Sequence, residues 1–147
     1  MIGGSASIEI EASLQDVWGV LQDVLAAPEW QGGLDKAIAL ERDRHGRPTL
    51  LDTELDIRVR RIRSRVRIGY DEPTRLWWTQ VKGDVKSADA VWELKDLGKG
   101  RTRVDYRFDV DPGRIVGMLI RGPVQAATRA ILVDRRPGEL KRRVEGD

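Results

Sequence analysis

Residues 51–70, which read LDTELDIRVRRIRSRVRIGY, decide the fold of this chain. Apolar and charged residues alternate along them, and this period of two is typical of a β-strand with one buried face. The apolar residues change from odd to even positions at Arg60-Arg61, which predicts two strands joined as a β-hairpin. The register that we favour sets Ile57 opposite Ile62 and three acids opposite three arginines: Asp56 and Arg63, Glu54 and Arg65, Asp52 and Arg67. Val59-Arg60 at the turn is not a type I′ sequence, so a longer loop or a bulge stays open.

The same alternation continues on both sides of the hairpin. Residues 5–11 form one strand by this pattern, and Ile38 and Leu40 belong to another. After the hairpin, turns at residues 71–74, 82–84 and 97–100 separate three further strands, the last of which ends near Val110. The pattern therefore predicts one early strand followed by six strands in an antiparallel meander.

Helical periods lie on either side of the meander. Ser13 and Asp16 form a variant of the capping box ahead of an apolar stripe that runs from Leu14 to Leu25. Pro28-Glu29-Trp30 starts a turn or a second short helix, which Gly32-Gly33 ends. After residues 111–113 a long C-terminal helix begins, and Gly122-Pro123 and Pro137-Gly138 are expected to kink or split it.

These elements predict an α+β fold. A sheet with one apolar face must cover that face, and the long C-terminal helix is the only element large enough to do so. We therefore expect the seven-stranded antiparallel sheet to curl around this helix. The chain has 147 residues and no interdomain linker or repeat, so we expect a single domain over residues 1–147.

Composition excludes several kinds of chemistry. The chain has no cysteine, which excludes disulfides, thiolate metal sites and a cysteine nucleophile. Its one histidine, His45, lies in a Gly/Pro turn, so we expect neither a histidine metal site nor a His/Asp relay. The net charge of +2 is too small to indicate nucleic-acid binding. No apolar run approaches the length of a membrane span, and the start lacks a targeting pattern, so we expect a cytoplasmic protein.

The sequence resembles the START/Bet v 1-like (SRPBCC) superfamily, specifically its bacterial polyketide cyclase/dehydrase and lipid-transport branch. The resemblance spans nearly the whole chain and is carried by Val17-Trp18, Pro28-Glu29-Trp30, Leu40-Glu41-Arg42-Asp43, Gly46-Arg47, Asp71-x-Pro73-x-Arg75-Leu76, Gly83, Trp92-x-Leu94, Gly100-x-Thr102-Arg103-Val104-x-Tyr106, Leu140-Lys141 and Val144-Glu145. It implies a helix-grip fold in which a seven-stranded sheet holds the C-terminal helix, with an apolar cavity between them. Such cavities take lipids, polyketides, quinone-like and other hydrophobic molecules.

The side chains expected to line this cavity come from the inward parity of the strands and from the C-terminal helix. If Tyr70 pairs with Arg75, Trp77 faces inward and Trp78 outward, and we favour that register over its alternative. Aromatic rings can fill a core or form the wall of a ligand site, and both interpretations can hold. The predicted ligand-cavity residues are Trp30, Leu55, Ser64, Val66, Tyr70, Trp77, Trp92, Tyr106, Phe108, Val116, Leu119 and Ile120.

No catalytic residue is assigned. No Asp or Glu falls at an inward strand position, and the inward hydroxyls have no evident base beside them. We therefore favour a protein that binds or transports a hydrophobic molecule with no cofactor and no metal. The alternative is a polyketide aromatase/cyclase or dehydratase, which would gain support if Arg114, Arg121 or Arg129 on the long helix turned inward.

Two basic stretches have competing interpretations. Six arginines fall between Arg58 and Arg67, and the hairpin register favours a paired, solvated outer face over an RNA- or ribosome-contacting module. The run from Arg135-Arg136 to Lys141-Arg142-Arg143 is interpreted as a solvated helix end, with a peripheral contact to acidic lipid headgroups as the alternative. Gly122-Pro123 also favours a hypothesis in which the first half of the helix acts with the Trp30 loop as a gate.

Overall fold

The computed structural model describes residues 2–146 and contains one seven-stranded antiparallel sheet. The strand order is β1-β7-β6-β5-β4-β3-β2, so the first strand pairs with the last and the rest form the predicted meander. The strands are β1 (Ile2–Ile10), β2 (Leu34–Arg42), β3 (Pro48–Asp56), β4 (Arg61–Asp71), β5 (Arg75–Gly83), β6 (Ser87–Gly98) and β7 (Arg101–Asp111). The predicted α+β fold is confirmed.

The first helix is shorter than the sequence predicts. Helix α1 (Leu14–Leu21) begins where the Ser13 hydroxyl accepts a hydrogen bond from the Asp16 amide, as the capping pattern indicates. It ends at Leu21 instead of continuing to Leu25. A separate 3₁₀ helix, Val24–Glu29, follows, and Pro28 lies inside it instead of starting it. This 3₁₀ helix packs against β2 at one edge of the sheet.

The C-terminal helix is divided into segments, α2 (Gly113–Leu119), α3 (Pro123–Arg129) and α4 (Arg136–Glu145). The break after α2 lies at Gly122-Pro123, where Gly122 adopts a φ of 62°, a conformation that favours glycine. A π-helical turn, Ala130–Asp134, joins α3 to α4 just before Pro137. Since proline lacks an N–H and clashes with the carbonyl four residues earlier, a widened turn is a physical response to Pro137.

The hairpin register differs from the prediction by two residues. Asp56 pairs with Arg61, Glu54 with Arg63 and Asp52 with Arg65. The turn consists of Arg58 and Val59 and is closed by a hydrogen bond from the Ile57 amide to the Arg60 carbonyl at 3.1 Å. A shift by an even number of residues keeps every side chain on its face and every acid opposite an arginine, so the pattern alone could not distinguish the two registers.

The C-terminal segments cover the sheet unevenly, and this decides where the interior stays open. The π-helical turn and α4 pack mainly against β1 and β7, while the 3₁₀ helix packs against β2. Between these two contacts, no helix of the described part of the chain packs closely against β3, β4 or β5. Among the described residues, none of the helices has the length and apolar character needed to cross a membrane.

Candidate functional site: a cavity between sheet and helices

A cavity of about 140 Å³ lies between the inner face of the sheet and the C-terminal helices. The strands β2 to β7 contribute side chains to its wall, mainly because alternate residues of a strand point inward. The helical side contributes Val116 and Ile120 from the region of α2, and Thr128, Leu132 and Arg136 from the segments that follow. The wall is largely apolar, so it suits a hydrophobic ligand.

Eight of the twelve predicted cavity residues lie in this wall: Leu55, Ser64, Val66, Trp92, Tyr106, Phe108, Val116 and Ile120. Trp30, Tyr70, Trp77 and Leu119 lie elsewhere. Sequence reasoning found the strand residues because their parity survives the change of hairpin register. That these residues contact a ligand stays a prediction.

The register of β4 and β5 places Trp78 in the wall in place of Trp77. Tyr70 pairs with Leu76, not with Arg75 as predicted, and Asp71 pairs with Arg75. The one-residue difference exchanges the two faces of β5. Trp78 therefore packs edge-on against Phe108 with ring centroids 5.5 Å apart, inside the wall.

Trp77 lies on the opposite face of the sheet. Its ring covers Gly69, where an added Cβ would overlap it, and the Arg75 guanidinium lies over the ring at 4.6 Å from the centroid. This is a cation–π contact on the sheet surface and no part of the cavity. The glycine opposite Trp77 is a signal that could have indicated the outward position from the sequence.

Tyr70 is half-buried at the end of the sheet near Pro48. Its hydroxyl donates a hydrogen bond to the Pro48 carbonyl at 2.6 Å, and the Arg47 guanidinium lies 4.7 Å from its ring centroid. Burial raises the pKa of Tyr70 to about 12, and the positive charge of Arg47 opposes that shift. Tyr70 is therefore a structural hydrogen-bond donor outside the cavity.

Leu119 and Trp30 also differ from the prediction. Leu119 lies on the outward side of α2 and is 44% exposed, because the interruption after α2 leaves only Val116 and Ile120 of that region pointing inward. Trp30 packs behind the wall, edge-on to Trp92 with centroids 6.1 Å apart. Its indole Nε1 is buried and has no hydrogen-bond partner among residues 2–146.

Several hydroxyl and amide groups at the cavity bond to one another or to the backbone. The Ser64 hydroxyl donates to Gln80 Oε1 at 2.8 Å, and Gln80 Nε2 donates to the Val85 carbonyl at 2.9 Å. Thr53 donates to the Ser64 carbonyl at 3.1 Å and Thr128 to the Val124 carbonyl at 2.9 Å. Because these donors are already used, they add little polarity to the site.

Arg136 is the one charged residue of the described cavity wall, and it was not among the predicted cavity residues. It was interpreted as part of a solvated helix end, but it is 3% exposed and lies in the cavity wall. The expectation of an interior without ionisable groups is therefore wrong. The signal was present in the sequence, because Val133, Arg136, Pro137 and Leu140 have helical spacing and share one buried face.

The Arg136 guanidinium is fixed in place by two partners. Its Nη1 donates to the Gly32 carbonyl at 2.7 Å and to Glu139 Oε1 at 2.9 Å. Glu139 Oε2 in turn accepts a hydrogen bond from the Gly32 amide at 2.9 Å. The three residues form a closed network that joins α4 to the loop after the 3₁₀ helix. Arg114, Arg121 and Arg129, whose inward orientation would have supported an enzyme, are all exposed.

Tyr106 is the second ionisable group in the wall. It packs against Trp92 with centroids 4.2 Å apart and is almost fully buried. Burial raises its pKa well above the usual tyrosine range, while Arg136 lowers it and Glu139 raises it. The side chain is thus neutral at physiological pH and acts as a hydrogen-bond donor. Its hydroxyl makes no hydrogen bond within the described part of the chain.

The arginines of the hairpin lie on the outer face of the sheet. Arg61 pairs with Asp35 at 2.7 Å, Arg63 with Glu54 at 3.1 Å and Arg65 with Asp52 at 2.7 Å. The hydrogen bond from Arg65 lowers the pKa of the Asp52 carboxyl. This paired outer face is the arrangement that the sequence favoured over an RNA contact. Within residues 2–146, no cluster of His, Asp and Glu is arranged to hold a metal ion.

Comparisons with known proteins agree with this architecture. The sequence model of the family described as polyketide cyclase / dehydrase and lipid transport matches residues 10–133. The fold is similar to a START superfamily protein from Mycobacterium smegmatis, with a TM-score of 0.83 at 21% identity over 98% of this chain and 97% of that chain. A protein from Thermus thermophilus has a TM-score of 0.81 at 17% identity, over 98% and 97% of the two chains.

A third solved structure is an aromatase/cyclase, Zhui from Streptomyces sp. R1128. Its TM-score is 0.75 at 17% identity, over 97% of this chain and 93% of that chain. At such identities the likeness shows the fold alone. The sequence matches no curated protein.

Proposed function

Because this chain belongs to the polyketide cyclase / dehydrase and lipid transport family, we propose that it binds a hydrophobic small molecule in the cavity between its sheet and its C-terminal helices. Binding or transport of this kind needs no covalent step, cofactor or metal. The observation that carries the proposal is the cavity itself, which is walled mainly by aliphatic and aromatic side chains of six strands and the C-terminal segments.

The size of the cavity restricts the ligand. An apolar cavity of about 150 Å³ can hold a single benzene ring, whereas sites for drug-sized ligands occupy roughly 300–1,000 Å³. The cavity here has about 140 Å³. A ligand held in this arrangement is therefore about the size of one aromatic ring with a short substituent, and a longer lipid or polyketide would need the helices to move apart.

A titration with toluene tests the proposal, followed through the NMR amide shifts of residues along the cavity wall. Ala88 lies in the wall, so Ala88→Leu fills part of the cavity and is expected to weaken toluene binding about tenfold or more. Ala126→Leu adds the same volume on the exposed face of α3 and is expected to leave binding unchanged. Mass spectrometry of the organic extract of purified protein would identify a co-purified ligand.

Failure has a clear form in this experiment. If neither toluene nor a polar one-ring compound such as benzyl alcohol or benzoate causes saturable shifts in the wild type, or if both leucine variants bind toluene equally well, the cavity is not a ligand site. The hypothesis of hydrophobic binding then fails.

The second candidate is an aromatase/cyclase or dehydratase, and it draws on the family and on the donors of Tyr106 and Arg136 in the wall. These groups could stabilise an enolate oxygen, but cyclisation also needs a base to remove a proton. Among the described wall residues there is no Asp, Glu or His, and both Glu139 oxygens are already hydrogen-bonded outside the wall. Binding is therefore the better-supported function, and release of cyclised product from a poly-β-ketone substrate would favour the enzyme.

Three further predictions from the sequence stay predictions. They are the cytoplasmic location, the peripheral contact with acidic lipids through the C-terminal basic run, and the RNA- or ribosome-contacting alternative. The pairing of Arg61, Arg63 and Arg65 with acids weakens the last of these, because a phosphate contact needs unpaired guanidinium groups.

A further inference from the structure

Arg136 and Tyr106 are the two ionisable side chains of the described cavity wall, and the positive charge of Arg136 acts on the Tyr106 hydroxyl. These two residues are called the polar end of the cavity. We propose that this polar end binds an acidic oxygen of the ligand, so that the molecule held in the cavity is a small hydrophobic acid, such as a carboxylate carried on one aromatic ring. The inference builds on the proposed function, since it requires that the cavity binds a ligand at all. It adds which ligand chemistry the cavity selects and how the molecule is oriented.

Arg136 supplies the charge. Its side chain is 4% exposed, and a guanidinium buried to this extent needs both a counter-charge and hydrogen-bond acceptors. A guanidinium has five N–H donors. The hydrogen bonds to Gly32 and Glu139 use Nη1 alone, so the Nε and Nη2 donors have no partner among residues 2–146. A carboxylate matches such a fork of donors, because its two oxygens can accept parallel hydrogen bonds.

Glu139 makes Arg136 a fixed binding group and not a mobile one. One Glu139 oxygen accepts a hydrogen bond from Arg136, and the other accepts one from the Gly32 amide in the loop after the 3₁₀ helix. Both carboxylate oxygens therefore already have a partner. Glu139 is not part of the cavity wall. The guanidinium is therefore oriented before the ligand enters, which reduces the entropy lost on binding.

Tyr106 adds a neutral donor. Tyr106 is 4% exposed and lies in the same wall, and its hydroxyl has no hydrogen bond within the described residues, so this donor is open to a ligand. The Tyr106 ring packs against Trp92, so it continues the apolar surface of the wall, while its hydroxyl presents one O–H to the cavity. Arg136 and Tyr106 together offer donors only. A ligand that presents an anionic acceptor satisfies both groups, whereas a cation is repelled and a hydrocarbon leaves them unpaired.

The remaining wall explains why the acid must be hydrophobic. Wall residues such as Val66, Phe108, Val116 and Leu132 surround most of the remaining space with carbon atoms, and Gln31 adds an amide that carries no charge. Ser64, Thr53 and Thr128 are already hydrogen-bonded, so they do not compete for polar groups of the ligand. The ring then lies against the aromatic and aliphatic side chains, while the acid group lies at the α4 end of the cavity.

The test compares benzoate with benzyl alcohol, which has the same ring but no charge, by calorimetric titration at neutral pH. We expect the wild type to bind benzoate about tenfold or more tightly than benzyl alcohol, since charge-assisted hydrogen bonds are the stronger kind. Tyr106→Phe removes one oxygen and is expected to reduce this preference about threefold to tenfold, while Tyr70→Phe removes a hydroxyl outside the cavity and leaves it unchanged.

The double variant R136M/E139Q removes both buried charges together, which avoids leaving one charge unpaired. It is expected to lose the preference for benzoate while still binding benzyl alcohol. Arg135→Met changes the neighbouring exposed arginine and is expected to behave as the wild type. If the double variant does not fold, as judged by near-ultraviolet circular dichroism, the wild-type comparison and Tyr106→Phe decide the question.

The outcomes separate this inference from the proposed function. Equal affinities for benzoate and benzyl alcohol in the wild type, or a preference that persists in R136M/E139Q, overturn the acid-binding end while toluene binding stands. A wild type that binds neither these probes nor toluene overturns the proposed function together with this inference.

Discussion

The two tyrosines of the chain show how the surroundings of a single residue determine its role. Tyr70 and Tyr106 both belong to strands and both were predicted to face the cavity. Tyr70 instead bonds to the Pro48 carbonyl beneath the Arg47 guanidinium, whereas Tyr106 lies in the cavity wall with a free hydroxyl. The parity of a strand predicts the face of the sheet, but it does not predict where along that face the covering helices leave space.

Both tyrosines are expected to resist ionisation in the folded protein. Burial raises the pKa of Tyr70 to about 12 from the ordinary value of 10.0, and it also raises the pKa of Tyr106. Above pH 10 the unfolded chain releases protons that the folded chain retains, so the tyrosine contribution to the free energy of unfolding stays level below pH 10 and falls as the pH rises toward 12. Absorbance of tyrosinate at alkaline pH, in native buffer and in urea, measures this difference.

The variants Tyr70→Phe and Tyr106→Phe assign the two contributions. Each should make the free energy of unfolding less dependent on pH above 10. Titration of both tyrosines near pH 10 in the folded protein would contradict the buried environments described for them.

For single residues, the sequence predicted the structure correctly where its pattern is compatible with only one local structure. Ser13 is a cap whether or not the tertiary structure is known, and it caps α1 as expected. The orientations of Trp77 and Trp78 were ambiguous, because the turn at residues 71–74 permits two strand registers that differ by one residue. Arg136 was missed for another reason, since a charged residue was assumed to be solvated although its helical neighbours Val133 and Leu140 are buried.

The sequence of the β3–β4 hairpin predicts the two faces of its strands but not their register. Both its faces were predicted correctly, since they depend only on parity. The register was not, because acids alternate along β3 and arginines along β4, and a two-residue shift keeps opposite charges together. Turn geometry decides between the two registers. Asp56 Oδ1 accepts a hydrogen bond from the Arg58 amide at 2.7 Å, which favours the turn at Arg58-Val59.

Arg58 adopts a φ of 77°, which is unfavourable for a residue with a Cβ atom. Arg58→Gly is therefore expected to stabilise the protein by about 0.5–1 kcal/mol in urea unfolding, after the greater entropy of glycine in the unfolded chain is subtracted. Arg60→Gly removes the same charge from the same turn at a residue without a positive φ, and it is expected to destabilise by about 0.5–1 kcal/mol. Equal effects of the two variants would show that charge, and not backbone conformation, governs the turn.

Across the whole molecule, the network of Arg136, Glu139 and Gly32 connects two parts of the chain that are distant in sequence. It joins the C-terminal helix to the loop that follows the 3₁₀ helix, and these two elements cover opposite edges of the sheet. The break at Gly122-Pro123 lies within the covering helices, between the wall residues Ile120 and Thr128. The gate at Gly122-Pro123 and the Trp30 loop stays a prediction. The hydrogen bonds of Gly32 with Arg136 and Glu139 join the loop after Trp30 to α4.

A second ion pair provides a matched comparison for this network. Arg143 and Glu29 also connect α4 with the 3₁₀ helix, at 2.8 Å, but their side chains are 38% and 62% exposed. Glu29→Ala is expected to cost less than about 1 kcal/mol, because water screens an exposed pair. Glu139→Ala leaves the buried Arg136 charge and the Gly32 amide without their partner, and it is expected to cost about 3 kcal/mol or more in urea unfolding.

Hydrogen exchange at the Gly32 amide distinguishes a local opening from a general loss of stability. In Glu139→Ala the Gly32 amide loses its acceptor, so its exchange should accelerate more than the exchange of amides in the β6–β7 ladder. Glu139→Gln keeps an oxygen acceptor for that amide, and it should restore most of the protection without restoring the ion pair. If Glu29→Ala and Glu139→Ala lower the free energy of unfolding equally, the buried network stabilises the protein no more than the exposed ion pair does. The two covering elements would then be held over the cavity by apolar packing alone.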